Sequence, residues 1–156
     1  MTNNYSNWTF KGKNVKNIED MQIHEPKVWG FVYLMSLYDI KTGELKHQYI
    51  GKKNIYSKRK RSFGKKEVAS MKDKRGKKYE YVIKESDWKT YLSSNSFIKD
   101  NANKYKIKRE IIKFSTNDAD LKYQEAKEIV CSCALEDDLF LNDGVSIRMF
   151  GKKIID

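Results

Sequence analysis

The 156-residue chain contains one proline, eight glycines, two cysteines and two histidines. So little proline and glycine excludes collagen-like and linker-dominated architectures. Cys131 and Cys133 are too few for a disulfide framework, and two residues apart in a predicted helix they point to different faces. A zinc site would have to recruit His24 or His47 from far along the chain, and the ligand spacing of structural zinc sites is missing. No apolar run approaches the roughly 18–20 residues of a transmembrane helix, and no charged-then-apolar leader opens the sequence. The expectation is a reduced, cytoplasmic protein that does not cross a membrane. With 39% hydrophobic and 13% aromatic residues, the chain is long enough to enclose one sizeable core.

What the chain has in excess is positive charge, a net +11 from 32 Lys+Arg against 21 Asp+Glu. Thirteen of those cations and only two of the acids (Glu67 and Asp73) fall between Lys52 and Lys78, so the remainder of the chain is balanced. Lys52, Lys58, Lys60, Arg61, Lys65, Lys66, Lys74, Arg75, Lys77 and Lys78 are the predicted nucleic-acid contacts. A solvated, solubilising loop is the plain explanation of an arbitrary charge run. This one is long and single-signed, carries Tyr56 and Phe63 and is followed by Tyr79. It is suited to neutralising phosphates and releasing their counterions, a salt-sensitive mode of binding that is blind to sequence.

Residues 1–27 are polar around Trp8 and Phe10 and read as an N-terminal arm that packs locally or stays loose. The run from Val28 to Tyr38 is dense in β-branched and aromatic residues, as a buried strand requires. A turn with Gly43 at a positive-φ position leads to a second short strand over 47–51, so an antiparallel hairpin is predicted. The basic stretch 52–78 reads as an irregular or partly helical insertion, with a brief extended piece from Tyr79 to Ile83. Ser86 is a candidate cap for a helix containing Trp88 and Tyr91, and Ser96 for another through about Asn103. Tyr105 to Ser115 alternates as a third strand. Thr116 or Asn117 then caps the longest helix, over roughly 118–136, whose apolar positions are Leu121, Ala126, Ile129, Ala134 and Leu135. A short element at 145–150 ends the chain. The fold class is α+β: a small, mostly antiparallel sheet flanked by helices, with one domain over 28–156.

Tyrosine in a strand is ordinarily packing, and a helix glutamate is ordinarily solvated. Their order is what matters here. Gly30-Phe-Val-Tyr33 and Tyr49-Ile-Gly51 occupy the two strands of the hairpin. Lys52-Lys53, Ser57-Lys-Arg59, the basic stretch, Glu85-Ser-Asp-Trp-Lys-Thr-Tyr91, Tyr123-Gln-Glu-Ala-Lys127 and Leu141-Asn-Asp-Gly144 follow. In this order the elements resemble the GIY-YIG endonuclease superfamily over about residues 8–150, most closely its phage-encoded, homing-endonuclease-like branch. Leu92 stands where that branch usually has glycine before the paired serines, Ser93 and Ser94.

The resemblance implies a divalent-metal-dependent DNA endonuclease that hydrolyses phosphodiester bonds by nicking or double-strand cleavage. Glu125 would hold one Mg2+, with Mn2+ as a possible substitute. Tyr33 and Tyr49 would position or deprotonate the attacking water, and Tyr91 would join that network. Lys52, Lys53 and Arg59 would supply positive field, one of Lys52, Lys53, Arg59 or Arg61 would contact the scissile phosphate, and Asn142 would brace the site. Such a phosphodiester hydrolase needs activated water, charge neutralisation and a stabilised leaving group. Without room for a separate recognition domain, specificity would come from the basic stretch, the arm, a homodimer or a partner protein. The competing reading is a non-catalytic basic nucleic-acid-binding module, which gives no reason for Tyr33, Tyr49 and Glu125 to come together.

Overall fold

The β-branched and aromatic run after Trp29 becomes a strand buried along most of its length, because layers cover both of its faces. A computed structural model of the chain describes residues 4–73 and 75–145. In chain order its elements are β1 (Tyr5–Phe10), β2 (Lys13–Val15), α1 (Ile18–Gln22), β3 (Gly30–Asp39), β4 (Leu45–Asn54), β5 (Tyr56–Ser62), α2 (Lys65–Ser70), β6 (Tyr79–Glu85), α3 (Ser96–Asn101) with a 3-10 turn at Ala102–Lys104, β7 (Tyr105–Ser115) and α4 (Asp118–Cys131). They fall into two compact units, one within Met1–Ile55 and Asp87–Asp156, the other within Tyr56–Ser86.

The first unit is α+β, built on a five-stranded sheet in the order β2-β1-β7-β3-β4. The predicted hairpin and third strand are present, but the sheet is mixed, because β1 runs parallel to β7. The stretch read from sequence as an N-terminal arm therefore contains two strands of the sheet. Trp8 accounts for this: it lies opposite Arg109, is 1% exposed, and packs its ring 4.9 Å from Phe31 and 5.3 Å from Tyr33. On the other face of β3 and β4, α4 packs Leu121 and Ile129 onto Val32 and Ile50. Asn117 caps α4 by accepting from the Asp120 N–H, as the sequence suggests. The helix ends earlier than predicted, with Cys133 in the left-handed region at φ 52, so Ala134 turns into the core while Leu135 faces solvent. The element predicted at 145–150 lies, beyond Val145, outside the described residues.

The helix predicted around Trp88 and Tyr91 is a single turn instead. The carbonyls a helix would need are taken from outside: Trp8 Nε1 donates to Trp88 O at 2.7 Å, and Arg109 Nη1 donates to Tyr91 O at 2.9 Å. Arg109, 2% exposed, also donates from Nε to Ser6 O and stands over the rings of Tyr5 and Trp8 at 4.4 and 4.6 Å. Burial holds its guanidinium down to about 10, which leaves it charged at neutral pH. α3 follows, capped by the side chain of Asn95, one residue before the Ser96 expected to cap it.

In the second unit, much of the predicted irregular loop is a two-stranded antiparallel ribbon, with β5 paired to β6 from Tyr56↔Glu85 to Ser62↔Tyr79. Only Lys65–Ser70 within it is helical. The seven-residue strands are long enough to pair because Lys58, Lys60, Tyr79 and Tyr81 interact across them.

Substituting Met for Arg109 leaves two buried acceptors, the carbonyls of Ser6 and Tyr91, without their donor. The expected cost is about 2–5 kcal/mol, read as a lower denaturation midpoint at unchanged m-value. Gly51→Ala would place a methyl 2.5 Å from Tyr33 Cζ and nearer its hydroxyl, against a ring that Trp8 and Phe31 hold in place. It should cost about 1–3 kcal/mol in the same assay.

Candidate active site

Strand alternation sets the site. Tyr33 lies opposite Gly51 and Met35 opposite Tyr49, so Tyr33, Tyr49 and Lys53 share one face of the hairpin. With no side chain at Gly51, the Tyr33 ring can lie across β4. Gly30 makes the matching concession on the other face. A Cβ there would meet Leu121 of α4 at 2.6 Å and Lys53 O at 2.7 Å. The two motif glycines thus admit a ring on one side of the sheet and a helix on the other.

The turn at 87–95 closes over this face. The Tyr33 ring centroid is 6.3 Å from that of Tyr49 and 6.1 Å from that of Tyr91. Lys53 Nζ stands 4.0 Å over the Tyr91 ring and is ion-paired with Asp87. Tyr33 Oη donates to Ser93 Oγ at 3.5 Å, and Ser93 Oγ accepts from the Asn95 N–H at 3.0 Å. Ser93 takes φ 139, a conformation that favours glycine and costs a serine on the order of 1–3 kcal/mol. That is the neighbourhood where Leu92 already departs from the usual glycine.

The electrostatics of the cluster are those of neutral phenols and a carboxylate whose charge burial disfavours. Burial pushes the Tyr33 hydroxyl well above the ordinary tyrosine value, and the neighbouring Tyr91 adds to the rise. Tyr49 is also raised, chiefly by burial and further by the negative charge of Glu125, while hydrogen bonding to Ser94 and Ser93 pulls it back. Glu125 itself is raised by burial, with Lys52 opposing. Glu125 comes from α4, the layer opposite the tyrosines, yet its charge acts on Tyr49. Tyr49 belongs to β4, the edge strand, where side chains from the two layers can approach one another. Asp87 is held below the usual carboxylate range by the Lys53 ammonium.

Asn142 locks that edge. Its side-chain oxygen accepts from the Ile50 N–H at 2.9 Å and its amide donates to Ile50 O at 2.8 Å, as a strand residue would. One step along, Gln48 exchanges backbone bonds with Leu139 and Leu141. The backbone between the two Tyr49 neighbours is thereby paired on both sides. Trp29 and Asn54 both donate to Asp118 at the start of α4, which ties the helix bearing Glu125 to the hairpin.

Of the predicted residues, Tyr33, Tyr49, Lys53 and Tyr91 meet on one face, while Lys52 and Glu125 interact through their charges. Arg59 lies on β5 in the second unit, opposite Val82. Lys58, Lys60 and Arg61 are exposed on the same strand, and Lys65 and Lys66 are exposed on α2. Arg75, Lys77 and Lys78 are exposed between α2 and β6, and Lys74 is outside the described residues. Arg61 is already neutralised by Glu67 and Glu80. The sequence reading passed over Arg109, Asp87 and Ser93. Arg109 had a signal, since it holds an inward position between Ile107 and Ile111 in an alternating strand. Asp87 and Ser93 had none beyond their place in the motifs.

Among the described residues, no three potential ligands of the His, Cys, Asp or Glu type cluster around one point, and no helix is long and apolar enough to cross a membrane. Glu125 is thus a single carboxylate whose burial disfavours its charge. That fits a hard, oxygen-preferring cation that keeps most of its waters, as Mg2+ does.

Residues 8–145 match the family model described as "Putative endonuclease segE, GIY-YIG domain". Comparisons with curated proteins and with solved structures returned no match. The family model spans nearly the whole chain, and its two half-motifs face each other across β3 and β4. The chain therefore belongs to the GIY-YIG endonuclease superfamily as a nuclease domain acting on DNA.

Proposed function

We propose that this nuclease is a divalent-metal-dependent endonuclease that hydrolyses the DNA backbone at the face formed by Tyr33, Tyr49, Lys53 and Tyr91. The observation that carries the reading is the gathering of Tyr33, Tyr49 and Tyr91 on one face of the hairpin, with Lys53 over the Tyr91 ring and ion-paired with Asp87. Glu125 holds one Mg2+, or Mn2+ in its place. When bound, the ion lowers the cost of charge on the phosphate and the departing oxygen. Tyr33 and Tyr49 act as neutral hydroxyls that orient the attacking water, since burial opposes their phenolate forms. Lys53, held by Asp87 and seated over Tyr91, places a fixed positive charge on the same face for the phosphate. Asn142 keeps β4, and with it Tyr49, in register. Arg59 and the other cations of the second unit hold the DNA backbone, and a homodimer or a partner protein adds specificity.

Plasmid nicking in Mg2+ should be abolished by EDTA. It should fall by at least about 100-fold in Glu125→Gln and by at least about tenfold in Tyr49→Phe. Undiminished nicking in both variants would refute the site, and DNA binding without cleavage under any divalent ion would favour a pure binding module.

The raised Glu125 value sets a pH dependence. The cation needs the carboxylate, so kcat/KM should fall as pH drops through a value above the ordinary glutamate range and recover as pH rises. Lys52→Met removes the charge that holds this value down, so its acid limb should move to higher pH. An unmoved limb would show that another group controls it.

A further inference from the structure

The ribbon of the second unit has two unlike faces. Directly opposed residues share a face in an antiparallel pair, so Lys58 and Lys60 lie with Ile83, Tyr81 and Tyr79, whereas Arg59 and Arg61 lie with Val82 and Glu80. The second face carries Lys84 as well, and on it Arg61 is bound by Glu80 and by Glu67 of α2. The first face is the more apolar of the two. Tyr81 is 53% and Ile83 57% exposed, and the face's one acid, Glu85, is at its end opposite Tyr56. An apolar centre flanked by lysines is a costly surface for a two-stranded ribbon to leave in water.

We propose that this face, carrying Lys58, Lys60, Tyr81 and Ile83, is the surface with which the ribbon enters the major groove of duplex DNA. Three observations favour that occupant. The charge is complementary to phosphates. A two-stranded ribbon is an element that the roughly 12 Å major groove admits. One face of each ring is already covered: Lys60 Nζ stands 3.9 Å over the Tyr79 ring and Lys58 Nζ 4.6 Å over the Tyr81 ring, and the two rings meet edge to face at 5.7 Å. Single-stranded nucleic acid is gripped by bases stacking on open aromatic faces, and here an ammonium competes for that place on each ring. What stays available is the tyrosine hydroxyls and edges, the Ile83 methyls and the ammonium groups, which suit base edges, thymine methyls and phosphates in a groove. An A-form RNA duplex is excluded, because its major groove is too narrow for side chains to read.

Because this surface presupposes a protein that acts on DNA, the test is binding without cleavage: the full chain carrying Glu125→Gln, in EDTA. The probes are a mixed-sequence 30-base-pair DNA duplex, either of its single strands, and the RNA duplex of the same sequence. The DNA duplex should bind at least about tenfold more tightly than the other two. Tyr81→Ala and Ile83→Ser should each weaken duplex binding about five- to tenfold, whereas Val82→Ser on the opposite face should leave it within twofold. Lys58→Gln and Lys60→Gln should each reduce the slope of log affinity against log salt by about 1. The unsubstituted ribbon should also protect guanine N7, a major-groove atom, from dimethyl sulfate. Equal affinity for single strands or RNA, indifference to Tyr81→Ala and Ile83→Ser, or unprotected N7 in a bound duplex would each overturn the proposal. None of those results bears on metal-dependent nicking, so a failure here is separable from a failure of the catalytic reading.

Discussion

A buried guanidinium organises the first unit. Arg109 sits on an interior strand where a hydrophobic residue would be the ordinary choice, and it remains charged because two carbonyls and two aromatic faces replace its water. Its partners come from two separate places in the chain: Tyr5, Ser6 and Trp8 on β1, and Tyr91 on the turn before α3. Ordering β1 beside β7 and holding the 87–95 turn in place are therefore one event. The Trp8 bond to Trp88 O repeats the same link a few ångströms away. These two donors act with the Tyr33–Ser93 and Lys53–Asp87 contacts to hold Tyr91 and Ser93 over Tyr33.

The site depends on that turn in a specific way. Tyr33, Tyr49 and Lys53 are arranged by the hairpin alone, since period-2 alternation puts them on one face. Tyr91, Asp87 and Ser93 are brought to that face by contacts with remote strands, and they change its chemistry. Asp87 keeps Lys53 from wandering into solvent, Tyr91 gives the ammonium a ring to rest on, and Ser93 supplies an oxygen to the otherwise sealed Tyr33 hydroxyl. The strain at Ser93 is located where the tyrosine network is closed, consistent with backbone strain concentrating at functional sites.

Much of this was legible beforehand. β7 and the start of α4 fell where alternation and capping placed them, because both signals are local: side-chain period in the strand and an Asn oxygen on the first N–H groups of the helix. The 86–91 segment misled because Ser86 and the aromatic spacing imitate a helix start, while the decisive donors, Trp8 and Arg109, are some 80 and 18 residues away. The basic stretch misled in a different way. Its charge density suggested an irregular or partly helical loop, but alternate positions on β5 pair their lysines with tyrosines on β6, and those pairings cannot be seen along one strand.

The sequence alone determined the hairpin, the shared face of Tyr33 and Tyr49, and the concentration of positive charge between residues 52 and 78. All three rest on residue type and short spacing, which the chain carries without folding. Tertiary structure decided the parallel addition of β1, the capture of Arg109 among carbonyls, and the seating of Lys53 between Asp87 and the Tyr91 ring. It also divided the ribbon into a face that exposes Tyr81 and Ile83 and a face that carries the Arg61 ion pairs. Each of these is a contact between distant segments, set by which buried polar groups can find partners once the sheet has formed.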